Sequence, residues 1–183
     1  VERLDLVQLH WWDFAVPGWV DAAGRLDELR RGGWIDRLGV TNFDAAHLEP
    51  ILDAGSEVVS NQVQYSLLDR RAEGAMTILC ENHHVRLLAY GVLAGGFLAE
   101  QYLRAREPQP PFENRSLAKY GLIIEEFGGW DLHQLLLESL QAIAAKHATS
   151  ITVIAARWVL DRNQVAAVMI GTRSDAHVDD NLK

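Results

Sequence analysis

Gly39-Val40-Thr41-Asn42-Phe43, with Gln8-Leu9-His10 before it and Asn61-Gln62 after it, decides how this chain folds. Each short polar group closes an apolar run, and a helical pattern follows each run. Continuous apolar runs mark strands covered on both faces, whereas half-exposed strands alternate. The runs at residues 4–9, 35–40, 58–63, 85–89 and 165–170 are of the first kind. Helical spacing lies between them. Residues 19–31 carry Val20, Ala23, Leu26 and Leu29, and residues 73–83 repeat the pattern. Asp44 stands where it can cap a helix ending near Gly55, with Pro50 expected to kink it. Strands alternating with helices imply an α/β fold of parallel strands joined by right-handed crossovers. In a parallel α/β barrel the carboxyl ends of the strands build the active site. Here those ends offer a His, a Thr-Asn pair, a Gln and, further on, Tyr90.

Past Ala89 the alternation stops. Residues 91–130 contain Gly91, Gly95, Gly96, Gly128 and Gly129 with Pro108, Pro110 and Pro111, and read as a long loop or insertion with short helical pieces at most. Connections of that length are usually functional. Helical spacing resumes over 131–147, with Leu132, Leu135, Leu136, Leu140 and Ile143 expected on one buried face. Ser150 can cap a further helix reaching Leu160, apolar nearly all round and so buried. The last strand leads to Gly171-Thr172-Arg173-Ser174 and a helix starting near Asp175. Five strands are too few to close a barrel of eight, and unpaired apolar edge strands are a liability. Residues 1–183 are therefore expected to be a single incomplete domain, a piece of a larger one.

A hydrophobic fraction of 49% and a charged fraction of 23% are those of an ordinary globular chain. The formal charge of -8 argues against nucleic acid, which would need a clustered basic face. No apolar run approaches the ~20 residues of a membrane span, so no membrane partner is expected. The single Cys80 rules out a disulfide framework or a Cys-based zinc site and suits a reducing cytoplasm; within its helical pattern it reads as a small buried apolar residue. His83 and His84 are adjacent and point apart, so no metal site is expected. Asp69-Arg70-Arg71 reads as a solvated turn, and Asp13 as a loop residue.

Six segments carry a more specific signal: LDLVQLHWWD (4–13), IDRLGVTNFD (35–44), VVSNQVQYSLLDRR (58–71), LLAYGVLAGGFL (87–98), ITVIAARWVLD (151–161) and MIGTRSDAHVDDNLK (169–183). In this order and at this spacing they resemble the aldo-keto reductases, in a poorly characterised branch, over essentially the whole chain. The resemblance implies a (β/α)8 TIM barrel that binds NADP(H) without a Rossmann fold, and the sequence has neither a Gly-x-Gly-x-x-Gly turn nor a Walker A loop. It further implies that this chain is the C-terminal part of the barrel, from strand 4 to strand 8, with the N-terminal strands absent.

The same resemblance distributes roles. His10 would hydrogen-bond the substrate carbonyl, a task for a donor that need not carry full charge. Asn42 and Gln62 would hold the nicotinamide carboxamide, with Thr41 in place of a commoner Ser; an amide offers donor and acceptor together. Taken alone, Thr41 to Asp44 is also simply a turn before a helix cap. Tyr90 would stack on the nicotinamide ring, its alternative being a rim aromatic of the core. Gly91, Leu93, Ala94, Gly95 and Gly96 would let backbone approach the pyrophosphate. Gly171, Thr172 and Arg173 would grip the adenosine 2′-phosphate and favour NADPH over NADH. His177 stands where many members carry Arg or Gln. Asp180 and Asn181 would contact the adenine. Trp11 and Trp12 would line the substrate pocket on one side and core on the other, with no sign of which does which.

In this family the proton donor is a Tyr whose pKa is lowered by a nearby Lys and Asp, all on segments preceding the His. Neither Tyr65, Tyr90, Tyr102 and Tyr120 nor Lys119, Lys146 and Lys183 fall in that arrangement. The expected parent is an NADPH-dependent reductase of small aldehydes or ketones, present here as a fragment without its acid-base half. The rival reading is a cofactor-binding regulatory or scaffold protein on the same fold.

Overall fold

The computed structural model describes residues 2–112 and 114–171. Five strands, β1 (Leu4–His10), β2 (Ile35–Thr41), β3 (Val58–Gln64), β4 (Arg86–Tyr90) and β5 (Val165–Met169), form one parallel sheet in sequence order. Helices α1 (Trp19–Arg31), α2 (Ala45–Asp53) and α3 (Ala75–His83) connect the first four. Between β4 and β5 lie α4 (Arg115–Phe127), α5 (Gly129–Lys146) and α6 (Ile151–Leu160). No helix of the described residues is long and apolar enough to cross a membrane.

Strand runs and helix starts fall within a residue or two of the sequence expectation, because short side chains cap where they should. The Asp44 carboxylate accepts the His47 backbone N–H at 2.9 Å and opens α2, which runs through Pro50. Ser150 Oγ accepts from the Val153 N–H at 3.3 Å and opens α6. Both relieve orphan donors of a first turn.

Three expectations need correction. The expected loop at 91–130 holds a complete helix, α4, whose N-cap Asn114 accepts the Leu117 N–H at 3.0 Å. Tyr120, Ile123 and Ile124 bury its inner face. Pro108, Pro110 and Pro111 precede this helix, and Gly128 and Gly129 follow it. On α5 the buried residues are His133, Leu137, Leu140 and Ala144, while Leu132 and Leu135 are exposed. The buried stripe follows i, i+4, i+7, i+11 from a histidine, so a leucine-led reading places it on the wrong side. The Asp69-Arg70-Arg71 turn is not fully solvated either: Asp69 is buried, and the Arg70 guanidinium lies 5.7 Å from the Trp158 ring.

Contacts divide the chain into two compact units. The first comprises Val1–Gln64, Arg71–Leu88 and Asn163–Ala167. Its core includes Leu38, Val40, Leu48, Ile51, Leu79 and Leu87, with Cys80, whose thiol burial pushes up to about 11. The second comprises Tyr65–Arg70, Ala89–Arg162 and Val168–Lys183. Phe97, Leu98, Ile124, Leu137, Ile151 and Ala155 form its center. There His133 is fully buried and bonds the Phe97 carbonyl through Nε2 at 3.1 Å. Burial holds its imidazole below the ordinary value, only partly offset by that bond.

Candidate active site

Register arranges the site in the first unit. His10 pairs with Thr41, and Thr41 with Gln62, so the three form one row at the carboxyl ends of β1, β2 and β3. Two residues back, Gln8, Gly39 and Ser60 form the row beneath, on the same face because strand side chains alternate. A register shift in β3 makes this possible: Leu38 pairs with Val58, but Gly39 pairs with Ser60. Without the extra residue the row would receive Asn61 instead of Gln62, since a one-residue slip exchanges faces. Asn61 is instead fully buried on the other face, its Nδ2 donating to the Phe43 carbonyl at 2.8 Å.

The lower row supports the upper one. Gln8 Nε2 donates to Thr41 Oγ1 and to Gln62 Oε1, both at 3.1 Å, and lies 3.5 Å from the Val40 carbonyl. Gly39 leaves the space for this reach, since a Cβ there would stand 3.1 Å from Gln8 Cγ. Asn42, one residue past the row, takes a left-handed φ of 60° and donates its N–H to the Gln62 carbonyl at 2.9 Å. Asn tolerates that conformation better than other side chains.

His10 is exposed at its strand end, its ring centroid 4.5 Å from that of Trp12. The two tryptophans divide their work. Trp11 turns inward on its own loop, its indole N–H shared between the carbonyls of Asp13 and Val16 at 3.1 and 3.0 Å. Trp12 is 88% exposed and is the one that borders open space beside His10. Asp13 caps the Ala15 N–H at 2.9 Å, a loop role. Phe14 anchors the same loop, stacked on the His47 ring at 3.9 Å and edge-on to Phe43.

In the second unit Tyr90 ends β4, and Lys119 Nζ lies 5.1 Å from its ring and 5.0 Å from the Tyr120 ring. Burial pushes the Tyr120 phenol above its ordinary value, with Tyr90 and Asp69 adding to the push. That is the opposite direction from a tuned proton donor. Gly91 (φ 67°) accepts the Ala94 N–H at 2.9 Å, and Leu93 packs against the core. The gap at Gly95 is already filled: a Cβ there would meet Tyr120 Cδ2 at 2.7 Å. Gly171 is exposed. Thr172, Arg173, His177, Asp180 and Asn181 lie outside the described residues. Gln8, Gly39 and Lys119 have no site role in the sequence reading. The signal for Gln8 was its place two residues before His10 on a strand.

A family model described as the aldo/keto reductase family matches residues 1–183. The chain belongs to this family. The match carries the family but not the expected placement at strands 4 to 8 of the barrel. Among similar aldo/keto reductase relatives are the NADH-specific methylglyoxal reductase of Escherichia coli, 25% identical over 100% of this chain and 54% of that protein, and the chloroplastic pyridoxal reductase of Arabidopsis thaliana, 29% identical over 100% and 48%. The flagellar radial spoke protein 5 of Chlamydomonas reinhardtii is 30% identical over 87% of this chain and 34% of its own length. The glycerol dehydrogenase of Gluconobacter oxydans superposes with a TM-score of 0.75 at 27% identity, covering 100% of this chain and 54% of that one. The chain thus spans about half the length of the reductases that it matches.

Proposed function

We propose that the protein containing this chain is an NADP(H)-dependent aldo-keto reductase that transfers hydride between the cofactor and an aldehyde or ketone. The observation that carries the reading is the row His10, Thr41 and Gln62 at three neighbouring carboxyl strand ends, with Asn42 beside it. The residues fit the cofactor chemically: among the described residues the Gln62 amide nitrogen has no hydrogen-bond partner while its oxygen is engaged, leaving a donor for an amide ligand. When bound, NADPH would supply the hydride; the protein supplies orientation and polarisation. Gln62 and Asn42 would hold the nicotinamide carboxamide and Tyr90 its ring face. His10 would donate to the carbonyl oxygen as negative charge develops there, beside the exposed face of Trp12. Arg173, with Gly171 and Thr172, would take the 2′-phosphate. The barrel is partial in this segment, and the Tyr that protonates the product, with its Lys and Asp, would come from residues outside it.

A second reading has a specific support, the likeness to a radial spoke protein: a scaffold that retains a dinucleotide site without turnover. The natural full-length protein distinguishes the two. Fluorescence titration should give tighter binding of NADPH than of NADH, and Arg173→Met should weaken NADPH alone, about ten- to a hundredfold for a lost charge-assisted hydrogen bond. His10→Gln should lower kcat/KM by about 10²–10³-fold with the dinucleotide Kd unchanged. Binding without turnover of any carbonyl compound would favour the scaffold. Equal losses for both dinucleotides in Arg173→Met would remove its assigned role.

A further inference from the structure

We propose that Gln8 is a positioning residue that fixes which end of the Gln62 amide faces the cofactor, an inference that rests on the reductase reading above. Gln8 has no place in the site by its own position, since it sits one row below His10, Thr41 and Gln62. Its side chain nevertheless spans two strands to reach Thr41 Oγ1 and Gln62 Oε1, each at 3.1 Å.

The polarity of this chain of contacts follows from chemistry. The end of Gln8 that meets Thr41 and Gln62 also faces the Val40 carbonyl at 3.5 Å, and a carbonyl can only accept. That end is therefore the NH₂ group. The nearest atom of Gln62 must then be an acceptor, its Oε1, and its own NH₂ is turned away from Gln8. A free glutamine can present either end of its amide; one held at Oε1 presents only a donor. Gln62 so held would donate to the carboxamide oxygen of the nicotinamide rather than accept from its nitrogen. Gly39 completes the device. It stands between Gln8 and Ser60 in the lower row, and a Cβ there would meet Ser60 Oγ at 2.6 Å and press on Gln8 Cγ from 3.1 Å. The glycine has an ordinary extended backbone, so neither a turn nor a positive φ accounts for it.

The test compares NADP⁺ with its 3-acetylpyridine analogue, in which a methyl ketone replaces the carboxamide. The ketone can accept a hydrogen bond but cannot donate one. In the natural full-length protein both should bind, because the donor from Gln62 serves either. Gln8→Glu places an acceptor where Gln8 had a donor, so Gln62 turns its NH₂ inward and presents Oε1. NADP⁺ then keeps a partner through its carboxamide NH₂, while the analogue meets acceptor against acceptor. The ratio of the two Kd values should shift about tenfold against the analogue, the size of one hydrogen bond. A general loosening of the sheet would weaken both ligands and leave the ratio alone. Should Gln8→Glu not fold, Gln8→Met is made in the natural and in the Gln62→Leu background. It should weaken NADP⁺ about three- to tenfold in the first and not at all in the second. An unchanged ratio in folded Gln8→Glu, or equal losses in both backgrounds, overturns the proposal. If the unaltered protein binds neither NADP⁺ nor NAD⁺, the reductase reading itself falls, and this proposal with it.

Discussion

At Gly39 the backbone would accept any residue, but the space would not. A Cβ would stand 2.6 Å from Ser60 Oγ as well as 3.1 Å from Gln8 Cγ. Gly39→Ala should therefore cost about 1–3 kcal/mol through overpacking, read as a lower thermal midpoint. Among the described residues Ser60 Oγ is buried and has no hydrogen-bond partner, so removing it is cheap. Adding Ser60→Ala should return much of the lost stability, and a double variant no more stable than Gly39→Ala would refute this account. Residue types at the strand ends were legible as a series of polar groups closing apolar runs. The function of Gly39 was not, because the contact that requires it comes from two other strands. Likewise nothing in the pair Trp11-Trp12 separates a loop-bonded indole from an exposed one.

Helix α1 ends in a charged lock. Asp27 is buried, with Arg30 Nε at 2.7 Å from one carboxylate oxygen and Arg31 Nε at 2.9 Å from the other. Burial alone would raise this carboxyl, but the hydrogen bonds from Arg30, Arg31 and the Glu57 backbone outweigh it and hold it below the ordinary 3.8. A carboxyl lowered on folding adds stability at pH above its unfolded value, and that stability is lost as pH falls through the folded value. Asp27→Asn should cost about 1–3 kcal/mol near neutrality. The natural and variant proteins should converge in stability on acidification below 3.8, measured by urea unfolding across pH. A gap that stays constant down to strong acid would exclude the ionised pair as its source. At this scale the strands and most helices were readable because propensity, capping and burial agree. Pro and Gly crowd the approaches to helix α4 and hide its spacing. A histidine, not a leucine, leads the buried face of α5. Its Nε2 bond to the Phe97 carbonyl makes that burial tolerable.

For the whole molecule a catalytic deficit is expected. Among the described residues the buried Tyr120 has a phenol pushed upward, away from the tuning that a proton donor needs. A positioned general acid contributes typically ~10²–10⁴-fold. Residues 1–183 expressed alone should therefore show no steady oxidation of NADPH with a panel of aldehydes and ketones, although circular dichroism should report helix and strand. Leu4 and Leu6 on β1 and Met169 on β5 are exposed, so this polypeptide should also tend to associate. Clear turnover by a monodisperse preparation would refute the missing-acid argument.

The α/β class, the five strands and the positions of His10, Thr41 and Gln62 at strand ends were all in the order of residues. Apolar runs, caps and polar strand ends are local, and local physics suffices to read them. Six matching segments added the family. Which of Asn61 and Gln62 enters the row with Thr41 was settled by folding, through a register shift that no local preference announces. So were the reach of Gln8 and the space kept by Gly39, because each depends on atoms from other strands far along the chain. Pairing register belongs to neighbouring strands jointly, and a single strand's sequence leaves it open.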